Sequence, residues 1–209
     1  MNKQKFFNFN FLKNNEYSDF YINSTNENAY SGVLNGKSVN CLLIGPKKSG
    51  KSSLGIKWLN KNKALQYSDN FDLIIKNKKN VLIDEIKNYL DEEKLFHIIN
   101  HCQFSNLKIL ITSEFDINEI KFSLNDLISR LKTFSIYKIY QPDDDMLLNI
   151  LTKLFLEKQF VINSFEIFQY ILKHADRSYE EIINIVEKLD SLSLEKKRQL
   201  TIPLVKEIL

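Results

Sequence analysis

Four short hydrophobic runs, each bounded by polar residues, divide the first two thirds of the chain. They span residues 40–44, 80–85, 108–113 and 134–140, and a weaker run covers residues 63–68. The segments between them carry apolar residues at helical spacing, and buried strands that alternate with helices are typical of a parallel sheet covered by crossover helices. The pattern therefore predicts an α/β domain built on a five-stranded parallel sheet.

The pattern changes after Gln141 and Pro142. Residues 143–159, 164–175 and 178–192 repeat apolar positions with the helical period, and no strand-like run separates them. Asp143 or Asp144 is a suitable N-cap for the first of these helices, and Pro203 suits the first turn of a short last helix. We therefore predict an all-helical domain over residues 142–209, with three or four helices, packed on an α/β domain over residues 15–141.

Composition restricts the class of protein more than its function. The chain has 209 residues, of which 44% are hydrophobic, enough for one domain with an appendage. A net charge of +3 is too small to indicate nucleic-acid binding by itself. Cys41 and Cys102 lack the spacing of a disulfide framework or a zinc site. The longest apolar runs fall short of the roughly 18 residues of a membrane span, and the N-terminal FFNFNFL is a poor secretion signal, so we expect a cytoplasmic protein.

One loop carries the strongest chemical signal. Residues 45–52 read GPKKSGKS, which matches G-x-x-x-x-G-K-[ST] between a strand-like run and a helical pattern. The glycines let backbone N–H groups surround phosphate oxygens at a helix N-terminus, the Lys51 ammonium offsets phosphate charge, and the Ser52 hydroxyl can ligate Mg²⁺. The sequence thus predicts a site for ADP or ATP with Mg²⁺, formed by Gly45, Pro46, Lys47, Lys48, Ser49, Gly50, Lys51, Ser52 and Ser53.

Two further strand ends add acids and hydroxyls. The run VLIDE ends in Asp84, which can hold the Mg²⁺ shell, and Glu85, which can orient or deprotonate an attacking water. The run ILITSE ends in Thr112, Ser113 and Glu114. Because the carboxyl ends of parallel strands meet at one edge of a sheet, we expect all these groups near the γ-phosphate. The alternative for the second run is an ordinary strand with a polar end.

The order GPKKSGKS, VLIDE, ILITSE and LNDLISRLK, followed by a helical region, resembles the AAA+ ATPases of the DnaA type. Within that group the ending RQLTIPLVKEIL and the segment FYINSTNENAY resemble the Hda subfamily, whose members regulate the initiator DnaA. The resemblance covers nearly the whole chain. It implies a P-loop AAA+ core with a helical lid, and it adds Tyr21 and Ile22 to the expected nucleotide contacts.

The resemblance also implies roles for two arginines. Arg130, in SLNDLISRLK, stands in the position of the arginine finger, which acts on the nucleotide of a neighbouring subunit. The alternative is a surface arginine at a helix end. Arg177, in HADRSYEEI, is the candidate for the lid arginine that contacts the chain's own nucleotide, although the equivalent position in the family also aligns near Glu180.

Partners follow from the same resemblance. Hda-type proteins bind the DNA polymerase sliding clamp through an N-terminal peptide, and the flexible segment 1–14 offers Gln4, Phe6, Phe7 and Phe9 for this contact. The alternative is that these phenylalanines pack on the protein's own core. Because the chain ends at Leu209, directly after the lid, we expect no sequence-specific DNA-binding domain.

These features predict a negative regulator of replication initiation. It would hold a nucleotide, ADP by preference, hydrolyse it weakly, and use Arg130 to stimulate hydrolysis of DnaA-bound ATP; the same features are compatible with a homo-oligomer. Two alternatives stay open. One is an autonomous ATPase, such as a helicase or clamp loader, that uses Lys51, Ser52, Asp84 and Glu85 on its own nucleotide. The other is a non-enzymatic module that binds single-stranded DNA or the initiator through Lys47, Lys48, Lys121 and Lys132.

Overall fold

The computed structural model describes residues 20–68, 70–88, 91–160 and 164–209. Within these residues, helices and strands alternate up to the last strand, and helices alone follow. The strands are β1 (Asn40–Ile44), β2 (Leu65–Gln66), β3 (Val81–Ile83), β4 (Ile109–Ser113) and β5 (Ser135–Lys138). The helices are α1 (Glu27–Asn35), α2 (Lys51–Asn62), α3 (Phe71–Lys76), α4 (Glu92–Phe104), α5 (Asn125–Leu131), α6 (Asp144–Glu157), α7 (Glu166–His174), α8 (Tyr179–Lys196) and α9 (Ile202–Val205).

The strands form one parallel sheet in the order β2-β3-β4-β1-β5, which confirms the predicted five-stranded sheet. The weak run at residues 63–68 contributes only the two residues of β2. In the register of the sheet, Ile44 at the end of β1 lies between Ser113 of β4 and Lys138 of β5. The strands therefore end together at one edge, here called the carboxyl edge, and begin together at the opposite amino edge.

Helices cover both faces of the sheet. Leu42 and Ile111 point to one face, in a core completed by α3, α4 and α5, while Leu43 and Leu110 point to the other, against α1 and α2. These four side chains have no exposed surface. Burial on both faces explains why the strands appear in the sequence as continuous apolar runs and lack an apolar–polar alternation.

Helices α6 to α9 form the lid and surround a core of their own. The ring of Phe155 lies at its centre, with ring centroids 5.2 Å from Phe160 and 5.1 Å from Phe168. Asp143 is the N-cap of α6, since its side chain accepts a hydrogen bond from the Met146 N–H, and Pro203 lies in the first turn of α9. The N-cap and the proline position expected from the sequence are confirmed.

The lid is joined to the α/β part through the segment that precedes α1. The Asn23 amide nitrogen donates to the two carboxylate oxygens of Asp143 at 2.9 and 3.1 Å. Met146 and Tyr179 of the lid are buried in the same cluster as Phe20, and the Tyr179 hydroxyl donates to the Tyr140 carbonyl oxygen. The carboxylate that caps α6 is therefore also the contact that fixes the start of the lid.

The N-terminal segment predicted to bind the clamp, with Gln4, Phe6, Phe7 and Phe9, lies outside the described residues. In the described ranges, no helix combines the length and the apolar character that crossing a membrane requires.

Replacement of Asp143 by alanine should lower the free energy of unfolding by about 1–2 kcal/mol, because α6 loses its N-cap and Asn23 loses its acceptor. Urea unfolding followed by circular dichroism measures the change. Asp145→Ala is the matched control, since Asp145 lies exposed in the first turn of the same helix and does not cap it. Equal losses for the two variants would contradict the assignment.

Candidate functional site at the carboxyl edge

The loop between β1 and α2 surrounds the N-terminus of α2. The Gly45 N–H donates to the Ser113 carbonyl oxygen at 3.1 Å, which ties the start of the loop to the end of β4. Gly50, the N-cap of α2, has φ +90°. A Cβ atom at Gly50 would lie 2.8 Å from the Phe20 ring, so both the backbone conformation and the packing at this position require glycine.

The N-terminus of α2 has its amides available. Gly50 offers no side chain, and within the described residues no other side chain caps this helix. The first N–H groups of a helix have no intrahelical acceptor, so those of Lys51, Ser52 and Ser53 can bind an anion. The buried Ser49 hydroxyl, inside the same loop, also lacks a hydrogen-bond partner in the part of the chain described. A phosphate group fits this set of donors.

Lys51 lies at the centre of the loop, with 7% of its surface exposed. Its ammonium nitrogen donates to the carbonyl oxygens of Gly45 at 2.8 Å and Pro46 at 2.9 Å, and lies 3.9 Å from the Glu85 carboxylate. Burial lowers the pKa of Lys51, and the nearby carboxylates, of which Glu85 is the strongest, oppose this shift. The lysine is therefore held inside the loop, where its charge can offset that of phosphate oxygens.

The acidic side of the site is organised by one hydroxyl. Thr112, fully buried at the end of β4, donates to the Asp84 carboxylate at 2.7 Å and accepts from the Glu85 N–H at 2.7 Å. Glu85 in turn accepts from the Glu114 N–H at 3.2 Å. The backbone of Glu85 is left-handed, with φ +61°, which is uncommon for a residue other than glycine and is often found at functional sites.

The structure thus brings together Lys51, Asp84, Glu85, Thr112 and Glu114. Ser113 is different, because its hydroxyl donates to the Phe115 carbonyl oxygen at 2.7 Å and is fully buried. The exposed residues at the rim of the site are Lys47, Lys48, Ser52 and Ser53. Tyr21 and Ile22 belong to the segment that precedes α1 and contacts both the loop and the lid. Their surfaces are 38% and 40% exposed.

Phe20, in the same segment, contacts the loop, and sequence analysis did not identify it. Its ring is buried, packs against Gly50 and stacks on Tyr30 with the centroids 5.6 Å apart. The next residue, Tyr21, lies near Asp145 and Asn149 of α6, and its pKa is raised by burial and by the charge of Asp145. The adjacency of an aromatic residue to Tyr21 was the available signal, but sequence alone does not show which ring turns inward.

A magnesium site would use Ser52 and Asp84. In the ranges described, no group of three or more histidine, cysteine or acidic side chains could hold a metal alone. Mg²⁺ at a nucleotide is bound through one or two protein oxygens together with phosphate oxygens and water. The hydroxyl of Ser52, in the first turn of α2, and the carboxylate of Asp84, directly after β3, are oxygen ligands of the kind that this requires.

The two predicted arginines have their hydrogen-bond partners outside the loop. Arg177 pairs with Asp144 at the start of α6, both side chains being exposed, and within the described residues no hydrogen bond or ion pair joins it to the loop. Arg130 lies in the last turn of α5 and donates to the Gln103 side-chain oxygen at 3.0 Å. Strand β5 follows at Ser135, which pairs with Cys41 near the beginning of β1. Arg130 therefore precedes β5 on the side of the amino edge, and β1 extends roughly 13 Å from this edge to the loop.

Solved structures of known proteins share this fold. Domain III of the replication initiation protein DnaA from Thermotoga maritima superimposes with a TM-score of 0.75 at 19% identity, over 91% of this chain and 93% of that chain. AMPPCP-bound DnaA from Aquifex aeolicus gives a TM-score of 0.68 at 18% identity, over 86% of this chain and 67% of that chain. A RuvB variant from Thermotoga maritima gives a TM-score of 0.66 at 15% identity, over 90% of this chain and 69% of that chain. At these identities the likeness shows the fold.

The lid gives the more specific comparison. Residues 144–209, which comprise α6 to α9, match the family model of the Hda lid domain. This match and the shared fold of DnaA domain III agree with the resemblance seen in the sequence motifs. The helical part of the chain is therefore similar to the Hda lid domain, and the chain as a whole shares the fold of DnaA domain III.

Proposed function

We propose that this protein is a nucleotide-bound regulator that stimulates hydrolysis of DnaA-bound ATP through Arg130. The observation that carries the proposal is the position of Arg130, at the edge of the sheet opposite to the chain's own phosphate loop. An arginine so placed is separated from the nucleotide site of its own chain by the length of the sheet, so it is better situated to serve a neighbour. The match of residues 144–209 to the Hda lid supports DnaA as the partner.

The chain's own nucleotide would be held by Lys51, the amides of α2, Ser52 and Asp84. When bound, it supplies phosphate oxygens that complete the Mg²⁺ coordination. Glu85 is the group suited to activate water, but its carboxylate is engaged by Lys51 and by the Glu114 N–H. Glu85 would have to turn from these contacts to orient a water at the γ-phosphate. We therefore propose that intrinsic hydrolysis is slow. The preference for ADP is a separate proposal, which rests on the resemblance to Hda-type proteins.

The regulatory step would be electrostatic. A guanidinium carries a permanent charge and a planar set of donors that matches phosphate oxygens, so Arg130 would stabilise the charge that develops on the γ-phosphate of the neighbour's ATP. Arginine fingers of this kind increase the rate by about 10³ to 10⁵ in well-studied cases. The clamp, bound through Gln4 and the phenylalanines near it, would bring the regulator to DNA where DnaA is found.

The test is turnover of DnaA-bound ATP in the presence of this protein and the clamp loaded on DNA, with each component omitted in turn. The proposal predicts that hydrolysis rises only when all components are present. Equal turnover by this protein alone would reject it.

A specific observation favours a second candidate, an autonomous ATPase. The loop lysine, both acids and Thr112 lie together, which is the arrangement that ATP hydrolysis requires. This candidate predicts fast turnover without any partner, and loss of that turnover in Glu85→Gln.

Replacement of Lys51 by alanine should weaken nucleotide binding by about ten- to a hundredfold, because charge-assisted hydrogen bonds to phosphate are lost. Titration with a fluorescent ATP analogue measures the affinity. Lys57→Ala, on the same helix but outside the loop, is the control and should bind normally. Unchanged affinity in Lys51→Ala would mean that the loop does not hold the nucleotide.

Replacement of Thr112 by valine should destabilise the protein by about 1–3 kcal/mol, because the Glu85 N–H and the Asp84 carboxylate lose their buried partner. It should also reduce the Mg²⁺ dependence of nucleotide binding. Thr112→Ser keeps the hydroxyl and should restore both properties. A valine variant as stable as the original protein, with normal Mg²⁺ dependence, would contradict the role of the hydroxyl.

Replacement of Arg130 by alanine should abolish most of the stimulation of DnaA-bound ATP hydrolysis, and should leave binding of the chain's own nucleotide intact. Lys132→Ala removes a neighbouring exposed positive charge and should stimulate normally. The DNA-binding alternative would be supported by two results together: weaker oligonucleotide binding by Lys132→Ala, and full stimulation by Arg130→Ala.

A further inference from the structure

The amino edge of the sheet exposes apolar side chains near Arg130. Phe104, the last residue of α4, has 84% of its surface exposed, and Val39, just before β1, has 45%. The Val39 carbonyl oxygen accepts from the N–H of Ile109, the first residue of β4, which places Val39 at this edge. An exposed phenylalanine gains more than most side chains from burial against a partner, and aromatic residues are frequent anchors of interfaces.

Gln103, the residue before Phe104, contacts Arg130. Gln103 and Arg130 are half-buried, and the guanidinium donates to the Gln103 side-chain oxygen at 3.0 Å. A glutamine restrains the guanidinium and leaves its charge uncompensated, whereas a glutamate would form an ion pair with it. Among the described residues, no carboxylate lies within salt-bridge distance of Arg130.

We propose that the end of α4 is a docking surface for the nucleotide-bearing face of a partner AAA+ module, with Gln103 positioning Arg130 and Phe104 supplying the apolar contact. This inference rests on the proposed function and adds the surface and the residues that bring the arginine to its target. The uncompensated charge of Arg130 selects an anion, and the adjacent exposed ring selects apolar protein surface. A nucleoside triphosphate held at the rim of a protein site provides both.

The apolar contact made by Phe104 and the positioning of Arg130 by Gln103 predict different changes in one titration. The rate of hydrolysis of DnaA-bound ATP is measured against the concentration of the full chain, with the clamp loaded on DNA. Phe104→Ala should raise the half-saturating concentration roughly tenfold and leave the maximal rate unchanged. Leu194→Ala removes another exposed large side chain, on α8 of the lid, and should change neither quantity.

The Gln103 variants should change the maximal rate. Gln103→Ala should lower it roughly three- to tenfold, about the net contribution of one hydrogen bond, with the half-saturating concentration unchanged. Gln103→Glu should lower it further, because the carboxylate pairs with the guanidinium and competes with the phosphate. A role of Gln103 in folding alone would not give a larger loss for glutamate than for alanine, and urea unfolding of each variant checks that the fold is retained.

Failure of the inference and failure of the proposed function are distinguishable. If Arg130→Ala stimulates normally, the proposed function is wrong. If Arg130→Ala is inactive but Phe104→Ala saturates like the original protein, the docking surface is rejected; if the Gln103 variants keep the full maximal rate, the positioning role is rejected. Sedimentation and oligonucleotide binding test whether the surface binds a second copy of this chain or DNA instead. If Phe104→Ala loses a homodimer or DNA binding but saturates normally with DnaA, the proposal is overturned.

Discussion

The Thr112 hydroxyl is the contact on which the geometry of the candidate site depends. Strand β3 is only three residues long, and Glu85 turns away from it with a left-handed backbone. The hydroxyl holds this turn to the end of β4, since it accepts from the Glu85 N–H and donates to the Asp84 carboxylate. One buried side chain therefore sets the position of both acids relative to Lys51. The left-handed conformation of Glu85 is stable because these contacts offset its strain.

The direction of the strands imposes a second constraint. In a parallel sheet, all strand ends lie at one edge and all strand beginnings at the other, so the loop after β1 and the residues before β5 are separated by the length of the sheet. Arg130 lies before β5 and the phosphate loop lies after β1. A chain with this topology can bind one nucleotide and offer its arginine to another. Under the proposed function, an arginine finger at Arg130 would therefore act on a nucleotide held by a second module.

Much of this architecture was predictable from the sequence. Strands buried on both faces appear as apolar runs, and the loop motif is recognisable because phosphate binding needs both glycines and Lys51 at fixed spacing. Tertiary detail was not predictable. Thr112 and Ser113 are adjacent hydroxyls, and only the pleat of β4 decides that the first contacts Asp84 while the second turns to Phe115. The contact of Gln103 with Arg130 joins two helices, and no local pattern signals it.

The link between the loop and the lid follows from a short stretch of chain. Phe20 fills the space beside Gly50, and three residues later Asn23 binds the carboxylate that caps α6. Since so few residues lie between these two contacts, the segment cannot stretch to absorb a movement of either end. The loop and the first helix of the lid therefore cannot be repositioned independently unless one of the contacts breaks. The predicted nucleotide contacts Tyr21 and Ile22 lie within this segment, where a bound base would meet both parts of the protein at once.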